Sequence, residues 1–106
     1  MVIKDGSESV YRIRLRFYSS IREAAGKSED ETEIPAGCTV FGLLEALSSV
    51  YGGAFRDEVF LPGDGGLRED IIVSVNGETT GCADAKDAIV GNGSVVDLFT
   101  TFPGGG

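Results

Sequence analysis

From Val10 to Phe17 the chain alternates strictly, with Tyr11, Ile13, Leu15 and Phe17 on one side and Arg12, Arg14 and Arg16 on the other. A period of two is the pattern of a strand with one buried face. The arginines then form a basic stripe. It reads either as a solvated sheet face balanced by nearby carboxylates or as a contact strip for an acidic or aromatic partner surface. Ser19 to Gly26 reads as one or two helical turns, with Ser20 and Glu23 spaced as a capping box and Gly26 as the stop. Glu31 to Ile34 reads as a short strand, antiparallel to the first and ended by Pro35.

The period changes after Cys38. Val40, Leu43, Leu44, Leu47, Val50 and Tyr51 recur at helical spacing and form one apolar stripe. Thr39 suits the N-cap of this helix and Gly52-Gly53 its end. Burial of the stripe against a sheet is the main expected source of stability, at about 1.5–3 kcal/mol for each fully buried large apolar side chain. The pattern weakens from Ala54 to Asp70, where Pro62-Gly63-Asp64-Gly65-Gly66 reads as a loop. That loop leads toward a strand and not into a helix N-terminus, so it does not suit a phosphate.

Ile71 to Val75 is a predicted strand, and Asn76-Gly77 is the strongest short hairpin signal, returning through Glu78-Thr79-Thr80. A helical turn between Asp84 and Ile89, a turn at Gly91-Asn92-Gly93 and a last strand from Ser94 to Phe99 complete the pattern. In that strand Val96 and Leu98 should point inward, leaving Phe99 available to a partner together with the arginine face. One principal helix packed on one face of a sheet implies an α+β domain of two layers.

Composition narrows the function classes. The chain has 106 residues, one domain's worth, with 9 Lys and Arg against 17 Asp and Glu, a formal net charge of −8. So acidic a chain repels nucleic acid and anionic lipid and is drawn to basic protein surfaces. There is no histidine, and Cys38 and Cys82 are not in a CxxC pair. Two lone thiols cannot supply a four-ligand zinc site. They read as small, partly buried residues, without a disulfide. No apolar run is long enough for a membrane span, and Met1 to Glu8 lacks a signal peptide's apolar stretch. The expected location is the cytoplasm.

The end of the sequence reads either as an ordinary frayed terminus or as a thin probe that presents its carboxylate to another protein. Residues 1–9 read as a flexible lead-in, residues 10–99 as the domain and residues 100–106 as a flexible tail. After Thr100-Thr101-Phe102 come Pro103, Gly104, Gly105 and Gly106. Pro103 favours extended backbone, and glycines without a Cβ can enter a narrow channel. At roughly 3.3–3.6 Å per residue, Pro103 to Gly106 reach about 13 Å. Ordering such a tail costs roughly 1–2 kcal/mol per residue, so it should order only inside a partner. Phe102 and Pro103, with Phe99, are the candidate docking residues. Asp97 and Glu45 enter only as charges that complement a partner.

Phe17-Tyr18-Ser19-Ser20-Ile21-Arg22-Glu23-Ala24-Ala25-Gly26, Thr39-Val40 opening the long helix, Val75-Asn76-Gly77, the Gly93-to-Phe99 strand and the terminal Gly105-Gly106 occur in one order. Together they resemble the MoaD/ThiS family of sulfur-carrier proteins, including the small archaeal modifier proteins, over nearly all of Val10 to Gly106. The resemblance implies a β-grasp (ubiquitin-like) fold, a mixed sheet packed on one main helix. It implies a non-catalytic carrier whose Gly106 carboxylate is adenylated by an E1-like enzyme, with Gly104 and Gly105 as the tail. ATP and Mg²⁺ would belong to that enzyme, and none would bind this chain. Sulfur could then replace AMP to give a thiocarboxylate for a molybdopterin synthase large subunit. Alternatively a target lysine could give an isopeptide bond, as in a ubiquitin-like modifier. Thiamine-type sulfur delivery and a plain interaction module are further alternatives. The chain departs from the family pattern in the residues before its glycines, in the additional Gly104 and in a longer loop from Leu61 to Arg68.

Overall fold

The computed structural model describes residues 10–63, 66–81 and 84–100. The elements are β1 (Val10–Phe17), α1 (Ser19–Ala25), β2 (Glu29–Pro35), α2 (Val40–Tyr51), α3 (Gly53–Val59), β3 (Ile71–Val75), β4 (Glu78–Thr80) and β5 (Val95–Thr100). The sheet order is β2-β1-β5-β3-β4. β1 and β5 lie parallel at its centre, and β2, β3 and β4 join antiparallel. A mixed sheet with its principal helix across one face is the β-grasp architecture that the resemblance implies.

The alternation of β1 sets the layers. Ile13, Leu15 and Phe17 point inward and are buried with Val96 and Leu98 of β5 and Val73 of β3. Against them lie Val40, Leu43, Leu44 and Leu47 of α2. Phe17 meets the rings of Tyr51 and Phe55 edge-on, at 5.5 and 6.0 Å. The inward direction of Val96 and Leu98, both 0% exposed, is the one read from the sequence.

On the opposite sheet face Arg12 pairs with Glu33 at 3.1 Å, Arg14 with Glu31 at 3.3 Å and Arg16 with Asp97 at 2.8 Å. The basic stripe is therefore balanced by carboxylates of the neighbouring strands. The two pairs with β2 are largely exposed and add little to stability.

Four local expectations change. Ser20 and Glu23 do not form a capping box: α1 has Tyr18 at its N-cap position without a side-chain cap. The Ser20 hydroxyl instead donates to Glu58 Oε1 of α3 at 2.6 Å, a tertiary contact that outcompetes the local one. Gly26 does end the helix, in the left-handed region at φ 79°. Second, β2 starts at Glu29, two residues earlier than its alternation shows. Third, Val50 is 70% exposed. At 3.6 residues per turn it sits about 80° from Val40, on the margin of the stripe. The buried face instead rotates toward Ser48, whose hydroxyl is satisfied by the Leu44 carbonyl at 2.9 Å. Fourth, the weakly patterned segment after Gly52 holds a third helix, α3, that buries Phe55 and Val59.

The N-terminus of α2 is closed by the chain itself. Thr39 Oγ1 accepts from the Gly42 amide at 3.0 Å, and the Val40 and Phe41 amides donate to the carbonyls of Ala88 and Ala85, each at 2.9 Å. The β3–β4 hairpin turns at Asn76 and Gly77 with φ of 53° and 87°, the left-handed pair that an Asn-Gly turn provides.

At the C-terminus of α2 the Tyr51 hydroxyl donates a short hydrogen bond to Asp30 Oδ2. Burial, and then this bond, pushes the Tyr51 phenol above the ordinary tyrosine range, so the ring remains the donor. The same bond holds the Asp30 carboxyl below the usual range. A depressed carboxyl stabilises the fold above its unfolded pKa of about 3.9, and that contribution fades as the pH falls through the folded value. Tyr51→Phe should therefore cost about 1 kcal/mol near neutral pH, and the gap to wild type should close in acid. Urea midpoints of both proteins across the acid range measure it; a gap that is constant with pH would rule out the Asp30 linkage.

Candidate functional site

The tail grows from β5, so the site begins at the outer face of that strand. Phe99 points outward there and is half-buried. Its register partner on β3 is Ile72, also half-buried. Because β1 runs parallel to β5, the residue leaving β1 lands beside it: the Tyr18 amide donates to the Leu98 carbonyl at 3.1 Å. The Tyr18 ring, 42% exposed, meets Phe99 edge-on at 5.8 Å. The two rings form an aromatic ledge near the last described residue, Thr100.

Asp97 lies next to the ledge and receives two donors on one oxygen. Arg16 Nε approaches Asp97 Oδ1 at 2.8 Å and the Tyr18 hydroxyl approaches it at 3.0 Å. Arg16 also reaches Oδ2 at 3.4 Å. The hydrogen bond to Asp97 pushes the Tyr18 phenol up and raises Arg16 as well, so both remain donors at neutral pH. A groove of about 580 Å³ opens here, lined by Tyr18, Ser19, Ser74, Thr79, Asp97 and Phe99, among others.

Of the residues singled out in the sequence, Phe99 lies on this face and Arg16 at its edge; Arg12 and Arg14 lie farther back along β1, paired with carboxylates of β2. Phe102, Pro103, Gly104, Gly105 and Gly106 lie outside the described residues, as do residues 1–9 and Cys82. Cys38 is a free, half-buried thiol that burial pushes up, which disfavours the thiolate. Among the described residues no cluster of three or more His, Cys, Asp or Glu is placed to hold a metal ion. Nor is any helix there long and apolar enough to cross a membrane.

Tyr18 and Ile72 were not singled out in the sequence. Tyr18 follows the alternating run and is aromatic, a usable signal. Its approach to Phe99 depends on β1 and β5 lying side by side, which no local pattern shows.

The model of the ThiS family matches residues 15–105, from the middle of β1 to the penultimate glycine. The chain belongs to the ThiS family. This is a family of ubiquitin-like sulfur carriers and modifiers. SAMP1 from Haloferax volcanii has the same fold, with a TM-score of 0.76 and 26% identity over 89% of this ThiS-family chain and 99% of its own. A putative molybdopterin converting factor, subunit 1, from Pyrococcus furiosus is 28% identical, with a TM-score of 0.67 over 87% of this chain and 99% of its own. Urm1 from Trypanosoma brucei, at 20% identity and a TM-score of 0.69 over 92% of this chain and 99% of its own, shares the fold. No curated protein sequence matches this one.

Proposed function

We propose that this ThiS-family chain is a sulfur carrier, the small subunit of a molybdopterin synthase, with the Gly106 carboxylate as its working group. A free carboxylate is ionised at neutral pH and a poor electrophile. An E1-like enzyme holding ATP and Mg²⁺ would join it to AMP, releasing pyrophosphate. A sulfide-level donor (HS⁻) would then attack the acyl carbon, forming the C–S bond and expelling AMP, and leave a thiocarboxylate. The chain itself contributes the docking face and a tail without side chains, and performs no catalysis.

One juxtaposition supports this most strongly. The family match continues through Gly105, and the strand that feeds those glycines carries the Tyr18–Phe99 ledge on its outer face. A partly exposed aromatic pair at the base of a glycine tail suits an anchor that holds the tail while its end reacts. The Pyrococcus furiosus neighbour favours molybdopterin synthesis as the acceptor pathway. A second function, a ubiquitin-like modifier, is favoured by the Haloferax volcanii neighbour described as small archaeal modifier protein 1, 25% identical over 87% of this chain.

Intact-mass analysis of the protein from its native cells separates the two. A species with one oxygen replaced by sulfur supports the carrier, and return of that species to the carboxylate as a molybdopterin synthase large subunit passes the sulfur to its substrate supports the pathway. Glycine remnants from Gly106 on lysines of other proteins support the modifier. If the end carries neither modification, and an E1-like enzyme with ATP leaves it unchanged, both functions are excluded.

A further inference from the structure

We infer that Asp97 is a positioning residue: anchored by Arg16, it fixes the Tyr18 ring against Phe99 and so shapes the ledge on which the activating enzyme seats an apolar side chain. This rests on the activation proposed above and assigns the chemistry of the docking contact.

Three observations carry it. First, Asp97 is occupied. Its Oδ1 already accepts from Arg16 and Tyr18, and its side chain is only 14% exposed. A carboxylate so engaged offers little charge to a partner, and Arg16 cancels it locally. Second, Tyr18 is extended, but the backbone immediately after it is held against local preference. The next residue, Ser19, has φ 57°, in the left-handed region that L side chains disfavour. Such a conformation persists when its surroundings over-determine it, and the bonds from Tyr18 to Asp97 and to Leu98 do so here. Third, the groove is locally neutral. It has aromatic Tyr18 and Phe99 on one side and the small Ser74 and Thr79 on the other. On a chain of net charge −8, an acidic protein's basic partner would be steered by the surface at large. At the ledge the fitting group is apolar or aromatic.

The experiment compares wild type with Tyr18→Phe, Asp97→Ala and Asp97→Asn in ATP–pyrophosphate exchange by the E1-like enzyme, with the carrier as varied substrate. Tyr18→Phe and Asp97→Ala should each raise KM about tenfold, as expected for a lost charge-assisted hydrogen bond, with kcat unchanged. The double variant should be no worse than either alone, because both break one contact. Asp97→Asn keeps an acceptor for Tyr18 and should recover part of the loss. The effect should be the same in about 0.1 M and about 1 M NaCl, although the screening length falls from about 10 Å to about 3 Å. In the free protein, NMR signals of the Tyr18 ring should shift in Asp97→Ala while the Leu44 and Leu47 methyls stay in place.

An effect that disappears at high salt would make Asp97 a simple charge contact and overturn the inference. Unchanged KM, or a fall in kcat alone, would overturn it too. Wild-type protein that supports no exchange at all would remove the activation itself, and the positioning role with it; a Tyr18 signal that still moves would show that the contact survives as structure only.

Discussion

Adding one residue after Gly106, or deleting Gly106, should abolish adenylation and leave the unfolding midpoint where it is. On the proposed function the reacting atoms are the carboxylate oxygens of Gly106, and attack on the nucleotide requires them within near-contact distance of it. A shift of about 1 Å can cost roughly a hundredfold in such a geometry. One residue moves the end by about 3.3–3.6 Å. An added side chain would also meet the walls of a channel that glycine passes. Stability should not respond, because the core is made by residues between Ile13 and Leu98. ATP–pyrophosphate exchange and urea unfolding on the same samples test both halves. If the extended chain were still adenylated and still passed on sulfur, the Gly106 carboxylate would not be the working group.

The second large effect is on the fold. Leu44→Ala or Leu47→Ala should cost about 2–5 kcal/mol, from lost transfer energy plus the cavity left behind. Leu44 is 0% and Leu47 2% exposed, and both lie against the inward residues of the sheet. A whole domain is stable by only about 5–15 kcal/mol, so either loss should be plain in a denaturation curve. Val50→Ala is the internal control. At 70% exposure it should change stability by less than about 0.5 kcal/mol. Unchanged midpoints in both leucine variants would place the α2 stripe outside the core.

The two effects separate function from fold. On the proposed function Gly106 carries the reacting group, and the described core is made by residues between Ile13 and Leu98. The helix makes the core and contributes nothing to the outer sheet face. Between them lies β5, whose inward residues Val96 and Leu98 belong to the core and whose outward Asp97 and Phe99 belong to the ledge. A substitution in β5 can therefore affect one property without the other, according to the side on which its residue falls.

By itself the sequence determined whatever depends on spacing along one element. A period of two fixed the inward side of β1 and of β5, because successive strand residues point to opposite faces. A helical period marked Leu43, Leu44 and Leu47 as core, and Asn76-Gly77 set its hairpin because both residues tolerate positive φ. The run of glycines at 104–106, too, is legible directly, since it is a matter of residue type and not of fold. Only the tertiary structure decided what depends on elements far apart in the chain. Ser20 gave up a local cap for Glu58 of α3, 38 positions away. Val50 lost its place in the core because it sits on the margin of the α2 stripe, while Ser48 on the other margin is buried. Phe55 and Val59 formed a helix that the Gly52-Gly53 stop had hidden. The aromatic ledge is of the same kind: Tyr18 and Asp97 are 79 positions apart, and they meet because β1 and β5 pair in parallel. Such pairing is set by how all the apolar faces are buried at once, and no window of neighbouring residues contains it.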